Sequence, residues 1–147
     1  MQKQKKQDIL QIATAAVHKT RLYRKEVRMK HLIEDLDELI AASPVLFIEI
    51  GDISCGPCLA IGHRIDAWTE KHPEVTARYI PIKKQAELCA GHGILSAPAV
   101  LVYIKGQLMI KKSGYFSLEE VFDKTERYLL LADLEIREEA ADEKKED

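Results

Sequence analysis

Apolar positions along the 147-residue chain change their period several times, and each change marks an element. Near the start, Ile9, Ile12, Ala13, Ala16 and Val17 recur at spacings of three and four, one face of a helix. Met29–Glu34 reads as a strand. Asp35–Ala42 follows as a short helix that stops at Ser43-Pro44, because a residue before proline is disfavoured in the helical region. Val45–Ile50 (VLFIEI) is almost unbroken apolar sequence, as expected of a strand covered on both faces. The spacing then predicts a helix from about Gly56 to Lys71, with Ile61, Ile65 and Trp68 inward and Pro73 past its end. Val75–Ile82 is the next strand, and Lys84–Ala90 a short helix leading into Gly91-His92-Gly93.

Ala99–Ile104 and Leu108–Ile110, joined across Lys105-Gly106-Gln107, read as an antiparallel hairpin. The final helix begins at Ser117, with Glu120 three residues on in a capping-box pattern, and buries Leu118, Val121, Phe122, Thr125 and Leu129. The order β-α-β-α-β-α-β-β-α describes an α/β domain, a mixed sheet with helices on its faces. No internal repeat is visible.

Composition adds limits. Apolar residues are 46% of the chain, enough for a core, and 22 basic residues against 24 acidic ones leave a net charge of −2. That balance gives no whole-chain argument for nucleic acid or membrane, and no apolar run is long enough to span a bilayer. Three cysteines do not make a disulfide framework. The charge is polarised, however: residues 1–30 carry nine Lys/Arg against two acids, and residues 133–147 eight acids against three Lys/Arg. The expected organisation is a basic, helical N-terminal extension over residues 1–28, a domain over 29–132, and an acidic tail over 133–147 that frays into solvent. Asp8, Gln11 and Thr14 interrupt the first apolar stretch, which argues against a secretory signal and for a cytoplasmic protein.

The chemistry sits at Cys55-Gly56-Pro57-Cys58, between a buried strand and a helix. Two cysteines at this spacing can cycle between dithiol and disulfide. Cys55 would lie at the helix N-terminus, where unpaired N–H groups and the positive end of the dipole favour a thiolate. Cys58, one turn inward, would stay a shielded thiol. Cys55 is then the nucleophile on a substrate disulfide, and Cys58 resolves the mixed disulfide. Pro57 suits a first helical turn, where its missing N–H costs nothing.

SPVLFIEIGDISCGPC and GILSAPAVLVYIKGQLMIKKSG, in that order, resemble the thioredoxin family over about Met29 to Leu131. The resemblance implies a thioredoxin-like fold and a cis peptide bond at Pro98, which would face the cysteines while Ala97 offers its backbone to an extended substrate. Gly56 and Pro57 would join these two at the substrate surface. Glu49, six residues before Cys55 in an apolar strand, either passes protons to and from Cys58 or turns to a solvent edge. Thioredoxins place a buried Asp at the matching position. The chain departs from the family at Ser54 (usually Trp), Ala99 (Thr), His63 (a kinking Pro) and Tyr79 (Lys), which alters the substrate rim and the proton path.

Cys55, Cys58, Cys89 and His92 also make a Cys3His set that zinc accepts, but the Pro57 loop favours redox chemistry and no metal is expected. Cys89 reads as a small buried hydrophobe, His92 as a loop residue near the active-site surface, His63 as a helix-face residue and His72 as a charge at a helix C-terminus. The reading is a thiol–disulfide oxidoreductase that reduces protein or small-molecule disulfides. It needs no cofactor and draws electrons from a reductase or a low-molecular-weight thiol. No nucleic acid or membrane partner is expected. The alternative is a docking or adaptor module of the same fold.

Overall fold

The computed structural model describes residues 2–12 and 32–145. Helix α1 covers residues 2–12, and α2 is Leu36–Ala42, capped by Asp35, whose side chain accepts the Glu38 N–H at 3.0 Å. Strand β1 (Val45–Gly51) leads into α3 (Gly56–Glu70). Strand β2 (Thr76–Pro81), helix α4 (Ala86–Gly91), strands β3 (Ala99–Ile104) and β4 (Gln107–Ser113), and helix α5 (Leu118–Glu143) follow. The sheet order is β2-β1-β3-β4, with β2 parallel to β1 and the β1–β3 and β3–β4 pairings antiparallel.

β1 lies between two neighbours and two layers, and all seven of its residues are buried. Because strand side chains alternate, Leu46, Ile48 and Ile50 join a cluster with Leu36, Ile40 and Cys89 from α2 and α4. Val45 and Phe47 join Ile65 and Trp68 of α3 and Val121 and Phe122 of α5 on the other face. The Phe47 ring lies 5.7 Å from Trp68 and 5.8 Å from Phe122, and Trp68 stacks on Phe122 at 4.9 Å. Trp68 Nε1 donates to Glu126 at 3.0 Å, and Arg64 pairs with Glu119, so polar contacts continue the α3–α5 seam outward.

The hairpin turn is only Lys105 and Gly106, both at positive φ (49° and 82°), the left-handed pair that suits the strand twist. Helix α5 starts as expected: the Ser117 side chain accepts the Glu120 N–H at 3.3 Å.

Two expectations fail. No strand forms over residues 32–34, while Met29–His31 lie outside the described residues. Ile33 is buried against α2, and its backbone is satisfied by one side chain: Gln85 Nε2 donates to its carbonyl at 2.6 Å and Gln85 Oε1 accepts its N–H at 3.3 Å. A single amide thus replaces a neighbouring strand. The acidic end does not fray from 133 but continues as helix to Glu143, since Ala, Glu, Leu and Arg dominate it and all favour helix. Of the expected N-terminal stripe, Ile9 and Ile12 are exposed on α1, and Ala13, Ala16 and Val17 lie outside the described residues.

His92 closes α4 and ties it to α2: its Nδ1 lies 2.9 Å from the Leu88 carbonyl oxygen and its Nε2 3.0 Å from Asp37. Both nitrogens can donate only when the ring is protonated. The Leu88 carbonyl first, and then Asp37, therefore hold its pKa above the ordinary histidine value. Stability from a raised pKa is fully present below the unfolded-state value and is lost as pH rises through the folded one. Because Asp37 is largely exposed, the contribution stays within about 1 kcal/mol. The urea midpoint should fall between about pH 6 and pH 8, and His92→Gln should remove that part of the slope. Phe47→Ala, which empties the centre of the aromatic cluster, should cost about 3–5 kcal/mol in the same assay.

Candidate functional site

β1 ends at Gly51, whose carbonyl accepts the Ile82 N–H at 3.0 Å, so the strand end is fixed to the end of β2. The next four residues turn on Asp52. Its backbone carbonyl accepts the Cys55 N–H at 3.1 Å, and its carboxylate accepts the Ser54 N–H at 3.3 Å and hydroxyl at 3.1 Å. Lys83 Nζ lies 3.0 Å from the same carboxylate. The Lys83 hydrogen bond, with Ser54, holds the Asp52 pKa below the usual carboxylate value. This loop delivers Cys55 to the cap position of α3.

Cys55 is in extended backbone (φ −93°, ψ 103°), and its sulfur accepts the Cys58 N–H at 3.2 Å. The cysteine sulfur thus takes the place that a Ser or Asp oxygen takes at an ordinary helix cap. No acidic residue occupies the first turn of α3, and Pro57 sits within it. Cys55 and Cys58 are disulfide-bonded, with Cα atoms 5.3 Å apart. Cys55 is half-buried, Gly56 and Pro57 are exposed, and Cys58 is buried.

Glu49 is 1% exposed, on the face of β1 that α3 covers, and not at a solvent edge. A cleft of about 660 Å³ joins it to both cysteines and to Tyr79 of β2. Leu32, Ile53 and Leu59 form its apolar rim. Sequence reasoning did not place Asp52, Asp66 or Lys84 on this cleft, and it treated His63 as an ordinary helix-face residue. The signal was the helical period: Gly62, His63 and Asp66 follow Cys58 and Leu59 at steps of three to four, on the same side of α3.

The Ala97–Pro98 peptide bond is cis. Both residues are half-buried and neither lines the cleft. The Pro98 carbonyl accepts the Gly114 N–H at 3.0 Å, and Gly114 takes a positive φ of 73° at the end of β4. Lys111 reaches back to the Gly93 carbonyl at 2.9 Å.

Cys89 is buried in α4, and burial pushes its thiol pKa up, away from reactivity. His92 lies in the turn that follows α4 but does not line the cleft, and Leu88 and Asp37 occupy its two nitrogens. His72 stacks on Trp68 at 4.1 Å and meets Glu126 at 3.3 Å. Among the described residues no group of three His, Cys, Asp or Glu is placed to hold a metal ion, and no helix is long and apolar enough to cross a membrane.

No protein-family model matches the sequence, and no curated protein does. Solved structures do resemble the fold. A single-substitution mutant of a Halobacterium salinarum thioredoxin aligns with a TM-score of 0.58 at 17% identity, over 65% of this chain and 84% of its own. Oxidised mitochondrial thioredoxin 3 of Saccharomyces cerevisiae aligns at 0.55 and 20% identity, over 60% and 85%. Fasciola hepatica thioredoxin aligns at 0.54 and 22% identity, over 60% and 89%. What these proteins share with the chain is the frame that carries Cys55 and Cys58, and the chain is accordingly a protein of the thioredoxin fold.

Proposed function

We propose that the chain is a thiol–disulfide oxidoreductase that reduces protein disulfides through Cys55 and Cys58. The observation that carries this reading is Cys55 as the cap of α3, its sulfur on the Cys58 N–H and bonded to the Cys58 sulfur. Once the pair is reduced, the same N–H and the positive helix end favour a Cys55 thiolate. Likeness to thioredoxins supports the same class of chemistry.

Each step balances within the site. The Cys55 thiolate attacks one sulfur of the substrate disulfide, forming a mixed disulfide and releasing the first substrate thiolate. Glu49 then takes the Cys58 proton through water in the cleft. The Cys58 thiolate attacks the Cys55 sulfur, which forms the Cys55–Cys58 bond, breaks the Cys55–substrate bond and frees the second substrate thiolate. The substrate gains two electrons and the protein loses two. A partner reductase or a low-molecular-weight thiol restores the dithiol, in the reducing direction of a cytoplasmic thiol pool. Gly56 and Pro57, exposed beside Cys55, together with Ala97 and Pro98 form the surface against which an extended substrate segment lies.

A second reading, a docking module without general reductase activity, has its own observation. Ile53, two residues before Cys55, is 91% exposed, and Leu95, three residues before Pro98, is 83% exposed, so each loop presents a large apolar side chain to solvent. Cys55→Ser separates the two. The oxidoreductase reading expects dithiothreitol-driven reduction of a protein disulfide by the native chain and loss of all catalysed turnover in Cys55→Ser. Absence of turnover from folded native protein with free thiols would overturn it. Partner capture that survives Cys55→Ser would favour docking. Cys58→Ala should accumulate the mixed disulfide, visible as a mass increase reversed by reductant. Glu49→Gln should slow resolution of that disulfide by about 100-fold, the low end of general acid–base effects, and leave the first attack unchanged.

A further inference from the structure

Every residue of α1 is exposed. Ile9 and Ile12 are three positions apart and Lys5 is four before Ile9, so the three share one face. Lys3 and Lys6 add to the basic start of this helix, against one acid, Asp8. The far end of α5 is exposed in a corresponding way. Thr125 is its last buried residue among those described, and Leu130 and Leu131 are each more than half exposed. Residues 133–143 then hold six acids against one base, Arg137, and Lys144 and Lys145 come only past the helix end. By helical period, positions 134 and 138, a Leu and a Glu in the sequence, follow Leu131 on one face. Each helix thus carries charge of the sign its own dipole disfavours, cations at the start of α1 and anions at the end of α5.

We infer that α1 is a docking element for a second copy of this chain: it packs antiparallel on the acidic end of that copy's α5, and the contact is returned, giving a reciprocal dimer. The two patterns run in opposite senses, basic then apolar on α1, apolar then acidic on α5. Set antiparallel, they match position by position: Ile12 with Leu131, Ile9 with Leu134 and Lys5 with Glu138, with the same steps of three and four on both sides. The arrangement also places the lysines at the α1 start beside the acids at the α5 end, which relieves both dipole mismatches. Isolated helices shorter than about 12–15 residues are marginal in water, so α1 gains most from such packing. Within one chain Ile9, Ile12, Leu130 and Leu131 all stay exposed, so α1 does not cover its own α5 and a second copy is the occupant that fits. None of these residues lines the cysteine cleft, and the inference is independent of the redox reading.

The test is sedimentation equilibrium of the full-length chain in reductant, so that no disulfide joins two copies, with amide spectra to report whether each variant is folded. The native chain should be a dimer whose dissociation constant rises with salt, as screening of the charged contacts requires. The triple variant Lys3→Glu, Lys5→Glu, Lys6→Glu should be monomeric. So should the quadruple variant Glu138→Lys, Glu139→Lys, Asp142→Lys, Glu143→Lys. Mixed in equal amounts, the two should recover dimers holding one chain of each, because both contacts then join opposite charges. Ile12→Ser and Leu131→Ser, which reverse no charge, should each raise the dissociation constant by about 10-fold or more. Carbodiimide coupling of unlabelled with nitrogen-15-labelled chains should link lysines of α1 to acids of α5 across one chain of each kind. A native chain that stays monomeric at millimolar concentration would overturn the inference. So would dimers that survive both charge reversals, variants that stay monomeric when mixed, or coupling confined within single chains.

Discussion

β1 has to be accommodated entirely inside the protein, and the demand falls on every element around it. Leu46, Ile48 and Ile50 require the α2–α4 layer, Val45 and Phe47 require α3 and α5, and hydrogen bonds to β2 and β3 occupy both edges. Each buried aliphatic side chain contributes roughly 1.5–3 kcal/mol relative to exposure, so the strand is where the fold gains most per residue. One carboxyl, Glu49, sits within that run, where an isolated charge is far more costly than an apolar side chain. A protein can keep such a group only where neighbouring groups accommodate it, and the cleft beside Cys58 is that place.

The same constraint fixes where the sulfur chemistry occurs. Gly51 is held to Ile82, and the Asp52 hydrogen bonds leave little freedom before Cys55. At the other end of α3, Trp68 is clamped between Phe47 and Phe122, with Glu126 on its indole N–H. Aromatic pairs of this kind add roughly 0.5–1.5 kcal/mol each beyond the area they bury, so α3 is anchored well away from its reactive end. The position of α3 therefore does not depend on the contacts of its cap at Cys55 alone.

Much of this was legible in the residues. VLFIEI fixed the central strand because only double burial explains so few polar positions, and the stripe from Ile61 to Trp68 gave the inner face of α3. Ser117 with Glu120 marked the start of α5, and Cys55-Gly56-Pro57-Cys58 marked the site. Features that depend on one side chain replacing an element were not legible. Gln85 stands 52 residues from Ile33, and no local pattern says that its amide will serve both backbone groups there. His92 does lie in the glycine-rich turn after α4, but no local pattern says that Asp37, 55 residues earlier, will take its second nitrogen. Glu49 was ambiguous for a related reason: alternation along a strand separates two faces but does not say which of them opens onto a cleft.

Charge around the cysteines sets two opposing effects against each other. A helix N-terminus favours a thiolate, whereas a carboxylate three residues earlier opposes it, and Asp52 is held ionised. Lys83 supplies a compensating charge 3.0 Å from that carboxylate, and the Ser54 N–H and hydroxyl engage it as well. Because both Asp52 and Lys83 are near water, what remains of their field at the sulfur is further screened. The Cys58 N–H, by contrast, points at the Cys55 sulfur from 3.2 Å inside the same turn. In the proposed cycle, that short range and fixed direction favour the helix end over Asp52 once the pair is reduced. The loop thus uses a carboxylate as its structural pivot, with the charge engaged by Lys83 and Ser54.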